Sequence, residues 1–278
     1  MLSLQHVTAS RGSKVVLRDL SFDLEPGCVF CVTGEEGSGK TSLLKVLTRE
    51  IPADEGIVKI DGAALSQLPR EVLRLYRARL GILGETDALD PTLTLARNVA
   101  LPLDLHGVDA RERDRAVADL LKRLRVGTAA DRLPRDVSRG ERQLAAFARA
   151  IVTGPALLLL DEPFQGMGDE TARIAATMVE NMCAKGATAI VASAEERTPS
   201  FFESPRLARM HRGRLTEASS PSVPAERVRE VASVKMTELV ERSEQSAEET
   251  PAVVHAPRET PAKTGEKKKV RITSVGSL

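Results

Sequence analysis

The eight residues 34–41, GEEGSGKT, stand between the apolar run CVFCVT and the helix-like stretch TSLLKVLTRE and satisfy G-x-x-x-x-G-K-[ST]. The chemistry explains the residue types. Glycines let the backbone curl so that its N–H groups point inward at phosphate oxygens, and the helix that follows adds the positive end of its dipole. Gly34, Glu35, Glu36, Gly37, Ser38, Gly39, Lys40, Thr41 and Ser42 are therefore the expected lining of a phosphate site. Lys40 is expected to reach the β and γ phosphates and Thr41 to hold Mg²⁺. A loop of this kind also restricts the fold, because it needs a buried strand before it and a helix after it. The expected ligand is ATP with Mg²⁺.

A second motif fits the same chemistry. Residues 157–160 are four leucines, followed by Asp161 and Glu162, as expected of a strand buried on both faces that delivers carboxylates at its C-terminal edge. Asp161 is expected in the Mg²⁺ shell, and Glu162 to orient or deprotonate an attacking water. Alone, LLLLDE is equally a buried strand ending in a solvated turn. The upstream loop favours the chemical reading.

Up to about residue 217, strand-like runs alternate with helix-like periodic segments, the pattern of an α/β domain with a mainly parallel sheet. Residues 218–278 are rich in Ser, Pro, Glu and Lys and contain no aromatic residue, so a largely disordered C-terminal tail is expected there, with one possible helix at 224–243. Its basic cluster, GEKKKVRI, reads as a solvated end or as a contact with an anionic membrane. Forty Lys and Arg against 39 acidic residues give no electrostatic case for nucleic acid. No run approaches the roughly 18–20 apolar residues that span a bilayer, and MLSLQHVTASRG lacks the apolar core of a signal peptide, so a cytosolic chain is expected. Cys28 and Cys31 form a CxxC, but residues three apart on a strand face opposite ways. With Cys183 they read as buried structural thiols.

Between the two motifs, residues 137–150 read VSRGERQLAAFARA, which resembles the LSGGQ signature and following helix of ABC transporter ATPases. Ser138 precedes Asp161 by 23 residues, similar to the family's spacing. The opening LSLQHVTASRGSKVVLRDLSFDLEPG resembles the family's first antiparallel strands, LGILGE the approach to its Q-loop, and MHRGRLTE its last hairpin. The segment TLARNVALPL and the GERQ form of the signature look most like the FtsE/LolD group. The resemblance implies an ABC-type P-loop NTPase over residues 1–217, with a RecA-like core, an N-terminal antiparallel β subdomain and a helical insertion at about 86–152. It also implies an ATP sandwich between two ATPase subunits, identical or paired, in which Ser138, Arg139 and Gly140 complete the partner's site. An integral membrane partner, FtsX-like or another permease subunit, is implied, placing the chain on the cytoplasmic face of the inner membrane.

Several positions depart from that pattern. The Q-loop glutamine is Glu85, which can still reach Mg²⁺ but adds negative charge beside the γ-phosphate. Arg139 replaces the second signature glycine and either obstructs closure or contributes a guanidinium. Gly168 stands where the D-loop aspartate is expected, with Asp169 one place later, and Ala194 stands in place of the switch histidine. Loss of one transition-state contact of that kind is worth about 2.7–4 kcal/mol, so slow turnover is expected. The adenine-stacking aromatic expected near residue 11 is replaced by Arg11, a weaker stacking partner.

Overall fold

The computed structural model describes residues 2–84 and 88–217. Glu85, the proposed helix at 224–243 and the basic cluster lie outside the described residues.

The first two strands, β1 (Leu2–Arg11) and β2 (Lys14–Leu24), form an antiparallel hairpin. With β4 (Glu55–Ile60) and β5 (Ala63–Ala64) they make a four-stranded antiparallel sheet in the order β2-β1-β4-β5. The second sheet contains β3 (Val29–Thr33), β6 (Leu80–Leu83), β7 (Leu157–Asp161), β8 (Thr188–Ser193), β9 (Arg206–His211) and β10 (Arg214–Glu217), in the order β10-β9-β3-β8-β7-β6. Its strands are parallel except for the terminal β9–β10 hairpin.

The central strands explain their own composition. Cys31, Leu158, Leu160, Ala189 and Val191 face one apolar cluster, while Phe30, Val32, Leu159, Ile190 and Ala192 face another. Both faces are covered, so an uninterrupted apolar run is the only composition that suits them. The first cluster packs against α3 (Leu95–Leu105), α4 (Ala110–Arg123), α5 (Arg139–Ile151) and α6 (Asp169–Cys183). The second packs against α1 (Lys40–Leu47), α2 (Arg70–Ala78) and the antiparallel sheet.

The thiols follow this division. Cys31 and Cys183 are buried on the helical face, and burial pushes both up from 9.0 to about 12. Cys28 is half-buried toward the other cluster. Both buried thiols hold their protons in the folded chain, whereas an unfolded chain releases them above about pH 9, so their contribution to stability is present below that pH and is lost as pH rises toward about 12. At about pH 8 a thiol reagent is expected to label at most Cys28, reaching Cys31 and Cys183 only as the chain unfolds. Mass spectrometry of labelled peptides across a denaturant series checks this.

One buried polar side chain fixes the approach to α3. Asn98 is fully buried; its Oδ1 accepts from the Asp90 N–H at 2.7 Å, and its amide donates to the carbonyls of Asp90, Leu93 and Thr94 at 3.1, 3.1 and 3.0 Å. Asn98→Ala removes a fully buried amide together with its bonds to Asp90, Leu93 and Thr94 and is expected to cost about 1–3 kcal/mol, read as a lower denaturation midpoint with unchanged slope.

Candidate active site

Three parallel strands end in line. Val32 of β3 pairs with Ala192 of β8, and Ala192 pairs with Asp161 of β7. The loop beginning at Gly34, the segment beginning at Ser193 and the acidic pair Asp161–Glu162 therefore leave the same C-terminal edge of the sheet. Such an edge is where open parallel sheets place ligands.

The loop itself is forced by two close approaches. A Cβ on Gly34 (φ 156°) would lie 2.2 Å from the Met210 carbonyl oxygen, and one on Gly39 (φ 118°) would lie 2.8 Å from that of Val16. Gly39 is also left-handed, which favours glycine a second time. Behind the loop, the Gly213 N–H donates to the Ser38 carbonyl at 2.7 Å, and the Arg18 N–H donates to the Gly213 carbonyl at 2.7 Å. The β9–β10 turn thus braces the loop against β2.

Lys40 opens α1 and is buried, 6% exposed. Its ammonium donates to the carbonyls of Gly34 at 2.7 Å and Glu35 at 2.9 Å. An ammonium has three donors, so one remains, together with the full charge, for an anion. The Ser38 hydroxyl oxygen is buried without a hydrogen-bond partner, and such a group calls for a polar ligand. Both observations fit a phosphate. Thr41 and Ser42 are half-buried at the start of the same helix, while Glu35, Glu36 and Gly37 are exposed on the rim. Thr41 and the buried Asp161 offer the oxygen donors that Mg²⁺ prefers.

Glu162 follows β7 in a left-handed conformation, φ 46°, anchored by its N–H on the Ala192 carbonyl at 2.8 Å. Its carboxylate accepts from the Ser193 hydroxyl at 2.7 Å and the Ala194 N–H at 2.6 Å. Its backbone carbonyl accepts from the Gln143 amide of α5 at 3.0 Å. Sequence reading missed Ser193 and Gln143; the one available signal was that a small polar residue ends the apolar strand β8.

Ser138 caps α5 in a reciprocal arrangement: its hydroxyl accepts from the Glu141 N–H at 3.2 Å and its own N–H donates to the Glu141 carboxylate at 2.7 Å. Hydrogen bonding to the carboxylate by the Ser138 backbone N–H first, and by the Ser138 side chain second, holds the Glu141 carboxyl below its ordinary range. Ser138 and Arg139 are exposed, and the Arg139 guanidinium donates to the Gln165 side chain at 2.6 Å. A Cβ on Gly140 would lie 3.0 Å from the Gly166 carbonyl oxygen, so the start of α5 lies against the loop that follows Glu162.

Asp169 opens α6 and pairs with Arg197 at 2.6 Å; Arg197 also pairs with Glu195 at 2.7 Å. Phe164 is buried, with Phe201 and Phe202 rings 5.3 and 5.7 Å away, a packing role. Arg11 lies exposed beside the β1–β2 turn. His6 pairs with Asp19 at 2.8 Å on the surface. Among the described residues, no helix is long and apolar enough to cross a membrane.

Comparison with known proteins agrees with this geometry. The profile of the family described as ABC transporter matches residues 17–165. The chain is 35% identical over 177 residues to the methionine import ATP-binding protein MetN 1 of Rhodococcus jostii, which covers 62% of this chain and 52% of that protein. It is 32% identical over 164 residues to the lipoprotein-releasing system ATP-binding protein LolD of Bacteroides thetaiotaomicron, 59% of this chain and 75% of that one. The chain spans about half the length of the methionine-import relative it matches. Among solved structures, the dimeric post-hydrolysis state of the ATP-binding cassette MJ0796 with ADP and Pi superposes with a TM-score of 0.71 at 25% identity, covering 78% of this chain and 98% of that one.

Proposed function

We propose, from the premise that this chain belongs to the ABC transporter family of ATP-binding domains, that it is the ATP-binding subunit of an FtsE-like complex that hydrolyses Mg-ATP slowly. Its output in this reading is to drive or gate an FtsX-like membrane partner in cell division or the cell envelope. The observation that carries the reading is the single sheet edge at which Lys40, Asp161 and Glu162 meet.

The division of labour follows from the site. Lys40 and the loop's backbone N–H groups would hold the β and γ phosphates, with Ser38 adding its unpartnered hydroxyl. Thr41 and Asp161, with Glu85 as a further candidate, would hold Mg²⁺. Bound Mg-ATP supplies the phosphoanhydride bond to be broken. Glu162 would orient or deprotonate the attacking water. Ser138, Arg139 and Gly140 sit on an exposed helix start, suited to meeting a second ATPase subunit's nucleotide. The domain organisation we propose is a cassette at 1–217 with a helical insertion at about 86–152, followed by a tail at 218–278.

The test is phosphate release by the chain reconstituted with its membrane partner, with Glu162→Gln as the control; equal rates would sink the hydrolytic reading. A second reading, an ATP-dependent scaffold that does not hydrolyse, is favoured by Ala194 at the switch position and by the tethering of Arg139 to Gln165. Nucleotide recovered intact at one per site would support it. The resemblance to LolD supports a third, export-type ATPase for lipoproteins or a small substrate.

A further inference from the structure

We propose that Ser193 is a positioning residue for Glu162, set by Thr198, so that the reactive carboxylate is oriented from within β8 without an imidazole at position 194; this rests on the hydrolytic reading of Glu162. An ionised carboxylate only accepts hydrogen bonds, so the 2.7 Å contact between the Ser193 hydroxyl and Glu162 Oε2 requires Ser193 to donate. A hydroxyl has one proton and two lone pairs. The lone pairs of Ser193 take the Glu195 N–H at 3.0 Å and the Thr198 hydroxyl at 2.9 Å, which leaves its proton no alternative direction. The next residue, Ala194, donates its backbone N–H to the other carboxylate oxygen at 2.6 Å. Both oxygens are therefore gripped by adjacent residues, while each keeps a lone pair for a water.

The support behind this grip is rigid. Ser193 is 2% exposed and Thr198 is 1% exposed, so water does not compete for either hydroxyl. Thr198 is held by its own N–H on the Glu195 carbonyl at 3.1 Å, and Arg197 beside it is pinned between Glu195 and Asp169. Phe201, at the end of the same turn, packs edge-on to Phe164, two residues beyond Glu162. The two segments are thus joined both at the carboxylate and at their aromatic ends, which fixes their separation.

Holding a reacting group within a fraction of an ångström is where such a contact acts, because a misplacement of about 1 Å can cost a hundredfold in rate. Ser193→Ala is expected to lower kcat for Mg-ATP roughly ten- to a hundredfold with KM little changed. Ser193→Thr, which keeps the hydroxyl, is expected to restore most of the rate. Thr198→Val frees the Ser193 hydroxyl to turn and is expected to give a smaller loss, with none added on top of Ser193→Ala. A second readout needs no nucleotide: in infrared difference spectra, the carboxylate band assigned to Glu162 by comparison with Glu162→Gln is expected to shift in Ser193→Ala and to return in Ser193→Thr.

Hydrolysis that depends on Glu162 but is untouched by Ser193→Ala, or a Glu162 band that does not move, would overturn the role of Ser193. Wild-type turnover no faster than Glu162→Gln would instead overturn the hydrolytic reading, and the band shift would then decide the Ser193 contact by itself.

Discussion

Lys40→Ala is expected to weaken Mg-ATP binding at least about a hundredfold, the largest loss of affinity expected from a single substitution in the loop. The buried ammonium contributes twice. In the proposed site its remaining donor and charge would face the phosphates, a charge-assisted bond worth about 1.5–3 kcal/mol. It also clamps the Gly34 and Glu35 carbonyls at 2.7 and 2.9 Å, which holds the loop curled in the absence of ligand. Losing both is expected to cost about 3–4 kcal/mol in binding, and each 1.4 kcal/mol is tenfold in affinity. Titration calorimetry with Mg-ATP checks this, with circular dichroism confirming that the variant remains folded. Unchanged affinity in a folded variant would move the phosphate site away from residues 34–41.

Glu162→Gln is expected to lower turnover by about a hundred- to ten-thousandfold while leaving ATP affinity nearly intact, the range associated with loss of a general base. It should also be slightly destabilising, for a reason specific to this chain. Both Glu162 oxygens accept hydrogen bonds, from the Ser193 hydroxyl and from the immobile Ala194 N–H. A glutamine has only one oxygen, so its NH₂ must face Ser193, whose lone pairs already hold Thr198 and Glu195. One bond in the chain has to break, at about 0.5–1.5 kcal/mol. Single-turnover hydrolysis, and thermal melts of the ligand-free variant, test the two halves separately.

The parts of this molecule readable from sequence are those whose chemistry is local. The loop at 34–41 carries its own strand, glycines and helix start within some twenty residues, and the leucines before Asp161 announce a strand covered on both faces. The parallel order could be anticipated from the alternation of elements, but the line joining Val32, Ala192 and Asp161 could not, because its Val32–Ala192 pairing joins strands well over a hundred residues apart. The same holds for the grip on Glu162. Ser193 is one serine among many until β8 is placed between β3 and β7, and only then does its hydroxyl meet the carboxylate. Asp169 illustrates a third case. Its identity was visible, but its ion pair with Arg197, 28 residues on, depends on how α6 and the end of β8 are juxtaposed.

The brace behind the phosphate loop ties early chain to late chain. Val16 and Arg18 on one side, and Met210 and Gly213 on the other, confine Gly34, Ser38 and Gly39. During synthesis the loop leaves the ribosome long before residue 213 exists, so the growing polypeptide carries the whole phosphate motif without the wall that shapes it. With translation at about 5–20 residues per second, that interval lasts on the order of ten seconds or more. The loop is therefore expected to reach its finished shape only after the β9–β10 turn has been made, late in the synthesis of the cassette.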